Sequence, residues 1–212
     1  MKRFLALMRD RRGGGAAEFA LVLPLLLLLL FGVIDGGRFL WEVNRAEKAT
    51  QFGARYAIVT NVIPSAIVND DYVGRTYCEN DIDASADTCT AGDNFFDTNT
   101  LGKLTCTQST CTCNSGYCPG GASISAAAFT NLVNRMKLMD PRIAQSNVQV
   151  VFKGSGLGFA GDPNGMDVIP LVTVRLTGMT FTPISLFNAV DFTLPNFATT
   201  LTAESSTGTL SN

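Results

Sequence analysis

The chain contains no histidine. That absence removes the Ser-His and Cys-His nucleophile arrangements and deprives any metal site of imidazole. Charge is also scarce, at 16% of the 212 residues, where roughly 25% is usual for a soluble domain. Much of the positive charge is crowded at one end: Lys2, Arg3, Arg9, Arg11 and Arg12 face only Asp10 in the first twelve residues. Beyond Ile34 there are 11 basic and 16 acidic residues, so the remainder is mildly acidic. It lacks the basic stripe that nucleic acid binding requires, which argues against a nucleic-acid partner.

What the chain has is a long apolar run. Residues 19–34 carry no charge and include Leu25 to Leu30. Counted from Gly14 the segment would make a helix of roughly 31 Å at about 1.5 Å per residue, matching a hydrocarbon core of about 30 Å. The basic flank places the N-terminus in the cytoplasm and the rest of the chain outside it. A cleaved secretory signal would begin in the same way, but would end in a small-x-small site. Here Asp35-Gly36-Gly37-Arg38 follows instead, which favours a retained single-pass helix. Pro24 removes one helical hydrogen bond, so a mild kink is expected. Gly32 and Gly36 have the spacing that lets two membrane helices approach closely, although glycine is common in such helices anyway.

Glu18 stands out because a carboxylate within a bilayer is costly, less so near the interface. In front of it lies Gly13-Gly14-Gly15, and each glycine weakens a helix by about 1 kcal/mol relative to alanine. A frayed, extended stretch that a protease could bind is expected there. The run from Arg11 through Gly13, Glu18 and Phe19 to Pro24 resembles the start of TadE-like proteins, minor pilins (pseudopilins) of bacterial tight-adherence, or Flp-type, pilus systems. Leu25 to Gly37 continues the resemblance, and Phe52-Gly53-Ala54-Arg55-Tyr56-Ala57 is similar to the stretch closing that family's N-terminal helix.

The resemblance implies roles for particular residues. A prepilin peptidase would cut between Gly13 and Gly14, leaving Glu18 fifth and Phe19 sixth in the mature chain. Glu18 would then be the carboxylate recognised in assembly, pairing with the free amine of a neighbouring subunit. The resemblance also implies the bacterial inner membrane, other pilins or pilus-assembly subunits as partners, and a C-terminal domain that is periplasmic or extracellular.

Past the membrane, Leu40, Val43, Ala46, Ala49, Phe52, Tyr56 and Val59 recur at helical spacing, with Glu42, Arg45, Glu47 and Lys48 mostly off that stripe. One helix is expected from about Ala16 to Thr60, and any bend would fall at Gly36-Gly37. All six cysteines then follow: Cys78, Cys89, Cys106, Cys111, Cys113 and Cys118. An even number clustered outside the cytoplasm reads as three disulfides. Cys111 and Cys113 should bond different partners, because bridging a single residue strains the geometry. Zinc is the competing reading, but the spacing lacks the paired C-x₂₋₄-C pattern. Asp81, Asp83 and Asp87 have the right chemistry for calcium, yet no EF-hand spacing is present.

A second amphipathic helix is marked by Phe129, Leu132, Val133 and Met136, opening near Ser123 or Ser125 and ending at Asp140-Pro141. Strands follow at Val148 to Phe152 and Val172 to Leu176, separated by the turn chemistry of Asp162-Pro163-Asn164-Gly165. One or two more are expected after Phe192. Gly156-x-Gly158-x-x-Gly161 has the form of a dinucleotide motif, but a turn follows where the motif needs a helix.

The resulting organisation is a basic leader at 1–13, a membrane helix at 14–34 and its amphipathic continuation at 35–60. An acidic cysteine-rich loop region at 61–122 and an α+β region at 123–212 complete it. The fold class is α+β and pilin-like: a long N-terminal helix, a small antiparallel sheet and a disulfide-rich loop. No enzyme activity, cofactor or small-molecule substrate is expected. Two functions remain open on the sequence. One is structural, in assembly or anchoring of the pilus. The other is a membrane-tethered extracytoplasmic protein that binds a ligand and uses its N-terminus only as an anchor.

Overall fold

The computed structural model describes residues 14–76, 88–95, 101–119, 123–163, 165–187 and 189–204, with the backbone of two short strands between 78 and 87. Helix α1 spans Gly14–Val59 without a break, passing through Pro24 and Gly36-Gly37. Its start differs from expectation. Gly14 and Gly15 are already helical, where an extended stretch was anticipated. Each residue added to an existing helix gains a hydrogen bond, so a leucine-rich helix propagates into poor helix formers. Gly13 and the basic leader lie outside the described residues.

The chain forms two compact units. The larger includes residues 43–179 and is organised around a sheet. Strands β1 (Cys78–Glu79) and β2 (Ala86–Asp87) make a small separate ribbon. β3 (Lys103–Cys106) and β4 (Cys111–Ser115) form a hairpin, followed by α2 (Ala126–Lys137), β5 (Val148–Gly158) and β6 (Val168–Leu176). β7 (Thr180–Phe181) and β8 (Phe192–Thr193) form a second ribbon, and β9 (Phe197–Thr202) returns to the sheet. The five-stranded sheet has the order β4-β3-β5-β6-β9, with every neighbouring pair antiparallel.

This is the α+β arrangement expected, with one revision inside residues 61–122. β3 and β4 are not a loop beside the sheet but its edge, paired through Leu104↔Phe152 and Cys106↔Val150. Their alternation was hidden because cysteine fills core positions: Leu104, Cys106 and Cys111 are buried. Cys106 and Cys111 face one another across the hairpin and are bonded, as are Cys113 and Cys118. Cys111 and Cys113 therefore have different partners, as anticipated. Cys89 is also in a disulfide, and the side chain of Cys78 lies outside the described residues.

α2 follows from its sequence directly. Ser125 caps it by accepting from the Ala128 amide, and Phe129, Leu132, Val133 and Met136 are all buried. Each contributes about 1.5–3 kcal/mol by leaving water. On β6, Val168, Val172, Val174 and Leu176 point to the same interior by strand alternation.

The C-terminal half of α1 packs here too, though not along the expected stripe. Ala46, Ala49 and Tyr56 are buried, but Leu40 and Phe52 are exposed, while Glu42, expected off the stripe, is buried. The most deeply buried positions on that face are small, with Ala46, Ala49 and Ala54 fully buried. A Cβ on Gly53 would sit 2.9 Å from Met136 Cγ and 3.3 Å from Val174 Cγ1, so glycine lets α1 approach both α2 and the sheet. Thr50 Oγ1 lies 2.9 Å from Thr199 Oγ1, and the Glu204 amide donates to the Ile58 carbonyl. Those contacts tie α1 to β9 at both ends of the strand.

A buried ion cluster fixes α1 against the end of α2. The Asp140 side chain is fully buried and accepts from the backbone and guanidinium of Arg142, with Arg45 Nη2 at 3.5 Å. Arg45 Nε also donates to the Met139 carbonyl. Burial opposes ionisation of Asp140, but the hydrogen bonds from Arg142 and the charges of Arg142 and Arg45 outweigh it and lower its pKa. A lowered carboxylate contributes stability above the unfolded value near 3.8 and loses it as pH falls through the folded one. Asp140→Asn should therefore cost about 2–3 kcal/mol at neutral pH, and the cost should shrink as pH falls below 3.8 and through the lowered folded-state value. Thermal unfolding of both proteins across that range measures the convergence; a constant difference would contradict it.

Candidate functional site

The residues singled out for assembly all lie on the first half of α1. Its most apolar 18-residue window has a mean hydropathy of 2.6, and none of that window is buried by the chain itself. Phe19 is 62% exposed, and Leu21, Leu25, Leu28 and Leu29 are comparably open. Such a surface is stable in lipid or against other apolar helices, not in water. The helix is long and apolar enough to cross a membrane once. Glu18 and Phe19 follow Gly14 by four and five residues on this helix and are both exposed. A Cβ placed on Gly32 or Gly36 would meet nothing within 4 Å, leaving their shared face open to another helix.

At the end of the apolar run the chain folds back on α1. Asp35 is buried and accepts from the backbone amides of Ile184 at 2.9 Å and Ser185 at 2.6 Å. Arg38 Nη1 lies 3.0 Å from the same carboxylate, and its guanidinium sits over the Phe181 ring at 5.4 Å. Phe39 meets Phe181 edge to face at 5.5 Å. Sequence reasoning missed this clamp, having used Asp35-Gly36-Gly37-Arg38 only to reject a signal-peptidase site. The available signal was the i,i+3 spacing of Asp35 and Arg38; the partner amides, about 150 residues away, left none.

The described acidic residues of the cysteine-rich region, Asp70, Asp71 and Asp93, form internal bonds. Asp70 takes a two-point contact from Arg75, at 2.7 and 3.3 Å, and accepts from the Tyr117 hydroxyl at 2.9 Å. Arg75 in turn lies over the rings of Tyr72 and Tyr117. Burial raises the Asp70 pKa, Arg75 works against that, and Asp167 and Asp71 add to it. Asp81, Asp83 and the side chain of Asp87 lie outside the described residues. Among the described residues no cluster of three or more acidic or cysteine side chains is placed to hold a metal. A cavity of about 70 Å³, lined by Tyr56, Thr60 and Asn131 among others, is far below the roughly 300 Å³ of a typical small-molecule site.

The glycine motif is a strand irregularity. Gly156 and Gly158 lie in β5 with φ of 80° and 119°, and the β5–β6 register shifts between Gly154 and Leu157. No helix begins at Gly161, so nothing there offers the helix N-terminus that a pyrophosphate needs.

Comparison with protein families finds a similarity in the first segment. Residues 13–55 match the family model described as TadE-like protein. This segment is TadE-like. It covers about a fifth of the chain and nearly all of α1, including Glu18, Phe19 and the open glycine face. No curated protein and no solved structure matches the chain. The TadE-like segment ends within the packed half of α1, so the match takes in both the apolar span and the stretch that Gly53 fits against α2 and the sheet.

Proposed function

We propose that this protein is a membrane-anchored, pseudopilin-like subunit acting in assembly or anchoring of a tight-adherence pilus. One observation carries the reading. The TadE-like match coincides with a single helix whose first half is apolar and bare, and whose second half is built into its own domain. A helix of that kind serves both as a membrane span and as part of the folded domain. The basic leader orients it with the N-terminus in the cytoplasm and the disulfide-bonded domain outside the inner membrane. A prepilin peptidase removes residues 1–13 by cutting between Gly13 and Gly14. Glu18 then pairs with the new amine of a neighbouring subunit, since a charge in lipid is held most cheaply by an opposite one.

A strain lacking this chain, complemented with wild type or Glu18→Ala, tests the proposal. Wild type should restore pili, and Glu18→Ala should reach the membrane in normal amount yet leave the cells without them. Full piliation without the chain would overturn the structural reading and favour a tethered ligand-binding protein. Full piliation with Glu18→Ala would remove Glu18 from assembly.

A further inference from the structure

The segment that clamps Asp35 carries an apolar tip of its own. After Ser185 come Leu186 and Phe187, with Ile184 before them and Val190 and Phe192 after. All five are exposed, Phe187 at 89%. The tip is an ordered turn: the Phe187 amide donates to the Ile184 carbonyl at 2.8 Å and the Ala189 amide to Leu186. Below it, Thr182 bonds to Asp191 and closes the segment on itself. Among the described residues Phe187 is the one non-glycine with positive φ, at 52°. A bulky residue rarely adopts that conformation, and here its effect is to hold an aromatic ring out from the protein.

Position supplies the occupant. Asp35 directly follows Ile34, the last residue of the apolar run. The amides of Ile184 and Ser185 lie within 3 Å of its carboxylate. Leu186 and Phe187 are the next two residues, so their Cα atoms lie within about 7 Å of that of Ser185 at roughly 3.5 Å per residue. This distance is comparable to the headgroup layer on one side of a bilayer, where aromatic side chains concentrate. We infer that the turn at residues 184–187 is a second membrane contact, inserting Leu186 and Phe187 into the outer interface of the bilayer that α1 crosses. The helix is thereby held at a fixed depth by two elements distant in sequence, joined through Asp35. The inference rests on the reading of residues 14–34 as a membrane span.

Fluorescence of the full chain in lipid nanodiscs tests it. Trp41 is the only tryptophan, so Trp41→Phe gives a silent background for Phe187→Trp, Leu186→Trp and, as the reporter of the span itself, Leu27→Trp. Leu27→Trp should be quenched most by lipids brominated deep in the acyl chains. Phe187→Trp and Leu186→Trp should instead be quenched most by lipids brominated close to the headgroup, with emission to the blue of water-exposed tryptophan. If Leu27→Trp is quenched and neither tip reporter responds to any brominated lipid, the inference is overturned. A blue-shifted but unquenched tip would give the patch to a neighbouring subunit and overturn it equally. Loss of quenching at Leu27→Trp would instead defeat the membrane span.

Discussion

Asp167→Ala should destabilise the sheet-bearing unit by about 3–5 kcal/mol, more than any surface change in the chain. Asp167 is buried and its carboxylate accepts from three backbone amides, Tyr72, Gly161 and Asp162, each at 2.9 Å. Alanine leaves all three donors without their acceptor. Burying an unsatisfied donor costs about 1–3 kcal/mol, and the Tyr72 amide is itself buried. Tyr72 is 1% exposed and packs its ring on Phe95 and Tyr117. One carboxylate thus joins the segment at 70–75 to the connection between β5 and β6. For a chain of this size the midpoint should fall by on the order of 10 °C, measurable by thermal unfolding in detergent. Asp167→Asn retains one acceptor oxygen and should lose distinctly less.

Gly158→Ala should cost about 3 kcal/mol or more by a different route. At φ of 119° the backbone occupies a region closed to residues with a Cβ. A Cβ there would also lie 2.1 Å from the Asp167 carbonyl oxygen and 3.2 Å from the Phe95 ring. The first neighbour is backbone and cannot turn aside. Moving it would disturb the bond from the Phe159 amide to that carbonyl, and the bond from the Phe95 amide to Gly158 lies beside it. Gly165→Ala is the control, since its Cβ would meet only Asp162 Oδ2 at 3.8 Å. Equal unfolding midpoints for the two variants would show that the close approach at Gly158 is not structural.

These two residues also mark where the sequence became hard to read. The helix at Gly14–Val59 was legible because a leucine run and a helical stripe extend over many turns, and propagation made its ends insensitive to local detail. α2, β5 and β6 were legible for the same reason, since hydrophobic period survives in Phe129 to Met136 and in Val168 to Leu176. β3 and β4 were not, because threonine, cysteine and asparagine replace the usual apolar alternation and a disulfide holds the pair. The packed face of α1 was misjudged at Leu40 and Phe52, since period measures hydrophobicity while close approach is decided by Gly53 and its small neighbours. Nothing in the sequence singled out Asp35 or Asp167 as buried carboxylates. Their partners are backbone amides, which every residue but proline carries, so composition gives no sign of the bond.

Of the site residues, Glu18, Phe19 and Gly14 lie on the exposed first half of α1 within or beside the TadE-like match, while the described cysteines belong to the sheet-bearing unit and stabilise it. The apolar span faces partners or lipid, and the disulfides secure the hairpin at the sheet edge.

We propose that residues 1–13 are a leader removed before assembly, while the helix from Gly14 onward is retained. Mass spectrometry of the N-terminal peptide from protein purified out of pilus-producing membranes tests it most directly. The account predicts a chain beginning at Gly14, with processing abolished by Gly13→Leu. A chain that still carries residues 1–13 in piliated cells would contradict it.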